Sequence, residues 1–441
     1  MKPIRAVDSE PQPQEASPGG VGSYLETLGL GPDVCQVLTS GGSWSESMQG
    51  VALRLLARLE NAPRSSESRW RSEAHVLDAT PNRADASRGM VRVSGRASHV
   101  KRIRLSEQDA ALHDRRFFDV VRLETDQGWT ADILTGKAPE EWVSSVPLLE
   151  RSEAVGLVVG PGPIWQEESS TTPADATDRD PPSRPATILL VSSSIAWFPG
   201  TTLGDLGMDY ALFEGVQDGR GLEPSEADAF YASLAAAGRV KPSALRQASA
   251  SASPDIVTLI NPAEKWIAAH RGQPVAISGT ARRATRITVD SPERRREIGS
   301  DHYWELFVFV DTPLLEIDGR VQQSYPVVCC VRSLPEGMPS GEDMTESVDV
   351  SGFAFKRYRY ATSENGLERE SPLLIGNRPT WHPAPRPTAS GSPLTWVLTG
   401  LAVLTAVALV GFAWLAGRDT RRAERDHARS LPERFDPPAA V

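Results

Sequence analysis

The chain has 441 residues, with 47 Lys plus Arg against 57 Asp plus Glu, a formal net charge of -10. That length allows two or three domains with their own cores. The acidic balance weighs against nucleic acid as a partner, because phosphate contacts need a basic surface.

Residues 1–20 carry Pro, Glu, Ser and Gly and almost nothing apolar, the composition of a disordered tail. The first unit is expected over 21–200. Leu25-Glu26-Thr27-Leu28-Gly29-Leu30 suggests a short helix. Ser43-Trp44-Ser45-Glu46 has the Ser-x-x-Glu form of a capping box. Behind it Met48, Val51, Ala52, Leu55, Leu56 and Leu59 fall on one helical stripe that Pro63 closes. Strand patterns follow at 91–105, 117–123, 129–134, 155–159 and 187–191. Residues 166–185, rich in Ser, Thr, Asp and Pro, read as a disordered insertion.

A second unit is expected over 201–384. Leu203-Gly204-Asp205-Leu206-Gly207-Met208 repeats the spelling of Leu25 to Leu30, and a helix is predicted from about Ser225 to Gly238. Ser249 to Pro254 reads as a linker. Val275-Ala276-Ile277-Ser278-Gly279-Thr280-Ala281 answers Val91-Arg92-Val93-Ser94-Gly95-Arg96-Ala97 at an offset of about 184 positions. Trp197 and Trp381, and Pro199 and Pro383, keep the same offset, so the chain holds an internal duplication. In both copies the Gly marks a sharp bend in a strand. Further strands are expected at 303–309, 325–331, 348–360 and 373–375.

Residues 385–393 form a Pro-rich stalk, followed by an uncharged stretch from Leu394 to Leu415 that is long enough to span a bilayer. A transmembrane helix over 394–416 is therefore expected, with the lipid bilayer as a partner. The Arg-rich tail 417–441 places the carboxyl end inside and the bulk of the chain outside the cytoplasm, although no signal peptide is visible. The expected fold class is mainly β: two OB-like β-barrel units in tandem, each preceded by short helices, plus one C-terminal transmembrane helix. Residues 275–289, 303–311, 325–332 and 348–360 resemble an OB-fold domain, and the first unit resembles a degenerate copy. The whole resembles single-pass membrane proteins of the planctomycete type. That resemblance implies an architecture and transfers no catalytic residue.

Reactive chemistry is hard to find. The chain lacks the spacings of zinc proteases, redox Cys pairs, phosphate loops and serine hydrolases. Its seven His are scattered. Of Cys35, Cys329 and Cys330, the adjacent pair would point to opposite faces of a strand. No catalytic residue, cofactor or metal is expected, and the chain reads as non-enzymatic. The candidate ligand surface is Gly352 to Tyr360, whose Gly-Phe-Ala-Phe-Lys start resembles the base-stacking strand of cold-shock OB folds. Phe353, Phe355, Lys356, Arg357 and Tyr358 are its members, with Arg282 and Arg283 as phosphate contacts. Two expectations follow: a membrane-anchored scaffold or ligand-binding protein of the cell envelope, or a tail-anchored binder of single-stranded nucleic acid. An enzyme with its site between the two units ranks behind both.

Overall fold

A computed structural model describes residues 44–77, 89–144, 148–161, 187–317, 320–361, 368–384 and 398–414, with parts of 25–34. The tail 1–20, the insertion 166–185, the stalk 385–393 and the tail 417–441 lie outside the described residues. Two compact units are present, Met1–His382 and Pro383–Val441.

The first unit opens with the helix Glu46–Glu60, whose cap is Ser45 rather than Ser43: the Ser45 hydroxyl accepts from the Met48 amide. Every residue of the expected stripe on this helix is buried. The strands that follow are β1 (His75–Val76), β2 (Met90–Arg104), β3 (Phe117–Glu124), β4 (Thr130–Thr135), β5 (Glu150–Pro161), β6 (Thr187–Val191) and β7 (Ile195–Phe198). β2, β3, β4, β6 and β5 close on themselves through a β2–β5 pairing, and β4 and β6 run parallel.

The second barrel repeats this plan. Its strands are β8 (Pro274–Thr288), β9 (His302–Ile317), β10 (Arg320–Val331), β11 (Glu346–Ala361) and β12 (Glu368–Gly376), with β13 (Thr380–His382) at the edge. The order β8-β9-β10-β12-β11 closes through β8–β11, and β10 and β12 are parallel. Five strands closed in the order 1-2-3-5-4, with the third and fifth parallel, define an OB-type barrel, so both copies are OB-like.

The sequence signature of the repeat has a geometric cause. A Cβ on Gly95 would lie 2.5 Å from the Glu124 carbonyl oxygen, and one on Gly279 would lie 2.4 Å from that of Phe309. The first strand of each barrel bends there against its neighbour, and a register shift follows two residues later in both copies. The Trp pair is equally well matched. Trp197 Nε1 donates to Glu150 at 2.8 Å, and Trp381 Nε1 donates to Glu346 at 2.6 Å.

Each barrel has two apolar layers. In the second, Val275, Ile277, Leu306, Val308, Val327 and Cys329 fill the interior. The opposite faces of the same strands, with Phe307, Val328, Cys330, Phe353 and Phe355, pack under the helix Ala227–Arg239. Cys329 and Cys330 thus do point to opposite sides, and both are buried. The expected linker at Ser249–Pro254 is corrected. Ser249 sits inside the helix Pro242–Ala252, and its hydroxyl donates back to the Leu245 carbonyl.

In the unit Pro383–Val441 the described helix covers 398–414. Among the described residues no helix is long and apolar enough to cross a membrane. The expected transmembrane helix over 394–416 is corrected accordingly, to a described helix over 398–414. The expectation of the lipid bilayer as a partner through Leu394 to Leu415 rested on that span, of which 398–414 alone is described.

Candidate nucleic-acid interface

The strand proposed from sequence is β11, and most of its named side chains are covered. Phe353 and Phe355 are each 1% exposed, Lys356 0%, Tyr358 4% and Arg357 8%. Phe353 and Phe355 lie under the helix Ala227–Arg239, with Phe355 against Phe213 and Phe230, and the segment 217–226 lies along the following residues of β11 as an extra edge. The Gly219 amide donates to the Arg357 carbonyl, and the Arg359 amide donates to that of Arg220. Lys356 Nζ donates to both carboxylate oxygens of Glu226, at 2.6 and 2.7 Å, and to the Gly221 carbonyl at 3.0 Å. Arg357 binds Glu370 and the Ile260 carbonyl, and its own amide donates to Asp218. These five side chains fasten the helical preface to the barrel. A base has no route to Phe353 or Phe355, so the reading of that strand as an open stacking surface is corrected.

Arg282 and Arg283 are placed differently. The register shift in β8 between Ala281 and Arg283 turns two consecutive residues toward the outer face. There the Arg282 guanidinium lies 4.4 Å from the centre of the Phe309 ring, and that of Arg283 lies 3.9 Å from the Phe307 ring. Tyr360 meets Phe307 edge-on at 5.2 Å and stacks on Tyr358 at 6.1 Å. Arg282 is exposed, while Phe309 and Tyr360 are half-buried. The result is a short strip of rings and guanidinium groups that starts where the helical cover ends.

Carboxylates order the strip. Arg283 binds Glu305 at 2.8 Å, and burial pushes the Glu305 carboxyl above its ordinary range against the pull of Arg283. Arg359 binds Glu370 at 2.9 Å; its hydrogen bond, with that of Arg357, holds Glu370 below the usual carboxylate range. Burial pushes the Tyr360 hydroxyl up to about 12, which keeps it a neutral donor. Arg282 alone of these guanidinium groups has its ring contact without a carboxylate among the contacts described. Tyr360 closes the stretch Gly352 to Tyr360 singled out from sequence, whereas Phe307 and Phe309 were missed, although they alternate visibly along the expected strand 303–309.

Burial raises both thiols, Cys329 and Cys330, well above the ordinary thiol range, so neither is a thiolate nucleophile at neutral pH. Among the described residues no group of three or more His, Cys, Asp or Glu could hold a metal ion.

Fold and face together define a tandem OB-barrel protein with an arginine–aromatic strip on its second barrel. No protein family matches the chain, and no curated protein matches it. Two crystal structures of the single-stranded DNA binding protein from Thermus aquaticus are similar to it at 9% identity. The wild type has a TM-score of 0.16, with 69% of this chain and 97% of that chain covered. A deletion mutant of that protein has the same TM-score, with 68% and 97% covered. The exposed arginine–aromatic strip itself stands against the expectation that nucleic acid is an unlikely partner, and that expectation is withdrawn. At so low a TM-score the two structures say nothing about which face would bind.

Proposed function

We propose that this protein is a non-enzymatic binding module that holds single-stranded nucleic acid on the outer face of its second barrel. The observation that carries the reading is the exposed Arg282 guanidinium 4.4 Å over the half-buried Phe309 ring, beside Arg283 on Phe307. Aromatic rings and planar guanidinium groups stack on bases of any sequence, and cations beside them meet the phosphates. The net acidic chain makes this a local contact of a few nucleotides, with a correspondingly small salt slope.

The test is fluorescence anisotropy with a labelled oligothymidylate over a range of salt concentrations. Removing one stacking ring by Phe309→Ala weakens binding by about tenfold, as expected for one base–aromatic contact. Arg282→Glu weakens it as well and lowers the salt slope by about 1. Both residues lie at the surface edge, so circular dichroism should show the fold unchanged. Undetectable binding, or binding indifferent to both substitutions, overturns the reading.

A further inference from the structure

Between β10 and β11 the chain passes back beside the arginine–aromatic strip. Residues 341–344 run along β8 just beyond the end of its pairing with β11, at the register shift that presents Arg282 and Arg283. The Ala284 amide donates to the Gly341 carbonyl at 2.9 Å, and the Gly341 amide donates to that of Ala284 at 3.0 Å. The Met344 amide donates to the Arg282 carbonyl at 3.0 Å, and its side chain is buried. Gly341 makes the turn at φ 148°, a conformation that residues with a Cβ rarely adopt. The loop is thus fastened at both ends, and the two residues between, Glu342 and Asp343, are exposed.

Glu342 reaches the strip. One of its carboxylate oxygens accepts from the Thr285 hydroxyl at 3.3 Å, and the other lies 3.7 Å from Arg283 Nη1. The other amino nitrogen of Arg283, Nη2, donates to Glu305 at 2.8 Å. The Glu305 side chain is 12% exposed and that of Glu342 75%. The guanidinium over the Phe307 ring is therefore flanked by one covered carboxylate and one open to solvent. The two acids also feel each other: burial raises the Glu305 carboxyl, and Glu342 adds to the rise against Arg283. With two carboxylates to one guanidinium, Arg283 offers a phosphate no uncompensated charge while Glu342 stays in place.

We propose, resting on the nucleic-acid reading above, that Glu342 sets the affinity of the strip: its carboxylate holds the open edge of Arg283, and a phosphate of the bound strand must displace it. The two arginines then have different parts. Arg282 over Phe309 is the stacking contact, open in the free protein. Arg283 is the phosphate contact, reached once the Glu342 side chain swings into solvent. An exposed ion pair opens at little cost, and the loop itself stays fastened to β8, because a side-chain rotation is all that is needed.

The experiment titrates labelled oligothymidylate with the full-length parent, Glu342→Gln and Asp343→Asn. Glu342→Gln should tighten binding about threefold at low salt, the size of an exposed ion pair, and steepen the salt slope by up to about 1. Asp343→Asn removes the same charge from the next position, also exposed, where no ion pair with Arg283 is found among the described residues. It should tighten binding by less than about 1.5-fold, because a solvated charge off the contact is screened. Both side chains lie in solvent, so the fold is retained, as circular dichroism checks. No gain in Glu342→Gln, or an equal gain in Asp343→Asn, overturns the proposal. If Phe309→Ala still weakens binding in that case, the role of Glu342 alone has failed. Failure of the nucleic-acid reading has a different pattern: neither the parent nor Glu342→Gln binds, or Phe309→Ala leaves both unaffected, and the role of Glu342 then falls with it.

Discussion

At the scale of single residues the most consequential contact is the ion pair of Lys356 and Glu226. Both are out of solvent, at 0% and 1% exposure, and Glu226 also accepts from the Gln217 and Glu223 amides. A pair so enclosed is ordered by geometry, because desolvation offsets much of the Coulomb attraction. Cutting one partner is another matter, since the survivor is left charged in an apolar layer. Lys356→Met is therefore expected to destabilise the protein by about 3–5 kcal/mol, read as a shift in the urea midpoint. The double change Lys356→Met with Glu226→Gln should recover a good part of that loss. Arg282→Glu, by contrast, should leave the midpoint within about 0.5 kcal/mol of the parent. The contrast separates two kinds of cation that look alike in sequence: one builds the barrel wall, the other is available to a ligand.

At the scale of elements, the glycine bend and the bulge beyond it make each barrel's first strand. Gly279→Ala would drive a methyl group against the Phe309 carbonyl, its oxygen 2.4 Å and its carbon 3.0 Å away, with the β-branched Val308 side chain at 3.1 Å. The expected cost is about 1–3 kcal/mol, and Gly95→Ala should behave alike at the Glu124 carbonyl. Thermal unfolding of the two variants measures both. This local demand is why the duplication is legible from residues alone. A strand that turns against a neighbouring carbonyl admits only Gly, and Trp197 and Trp381 keep a carboxylate partner in each copy. The candidate face is less legible for a physical reason. Alternation along β11 assigns Phe353 and Phe355 to one side, yet it cannot say what lies over that side. The cover comes from Phe213 and Phe230, more than a hundred positions earlier, and no period in β11 records them. Phe307 and Phe309 suffer the reverse problem: the strand pattern shows them facing away from the interior, but only the end of the helical cover leaves Phe309 within reach of a ligand. The uncharged stretch near the carboxyl end shows a third case, in which composition matched a spanning helix and no helix among the described residues is long and apolar enough to cross a membrane.

At the scale of the whole molecule, the two barrels are joined by a chain of rings and one buried acid. Trp142, Trp197, Tyr210, Phe213 and Phe355 follow one another edge-to-face at 5.9, 5.8, 5.1 and 6.1 Å, from the first barrel into the second. Asp209 locks the middle of this run, accepting from the Trp197 amide at 2.9 Å and the Ala211 amide at 3.0 Å. Burial pushes its carboxyl up from 3.8 to about 6; the two amide bonds and Arg71 oppose the shift, and Glu153 adds to it. A carboxyl with a folded pKa above its unfolded value binds its proton more tightly in the folded state. Its contribution is therefore most favourable at low pH and is lost as the pH rises through about 6. Between about pH 4 and pH 6 the junction should lose roughly 3 kcal/mol from this group, with no further change above. Asp209→Asn keeps the side-chain oxygen that accepts both amides and removes the charge. Its urea midpoint should equal that of the parent near pH 4 and exceed it at pH 7, so the difference between the two proteins isolates Asp209 from other titrating groups. A variant weaker than the parent at pH 7 would mean that the charged carboxylate holds the two barrels together, and the ring chain would then be the lesser part of the joint.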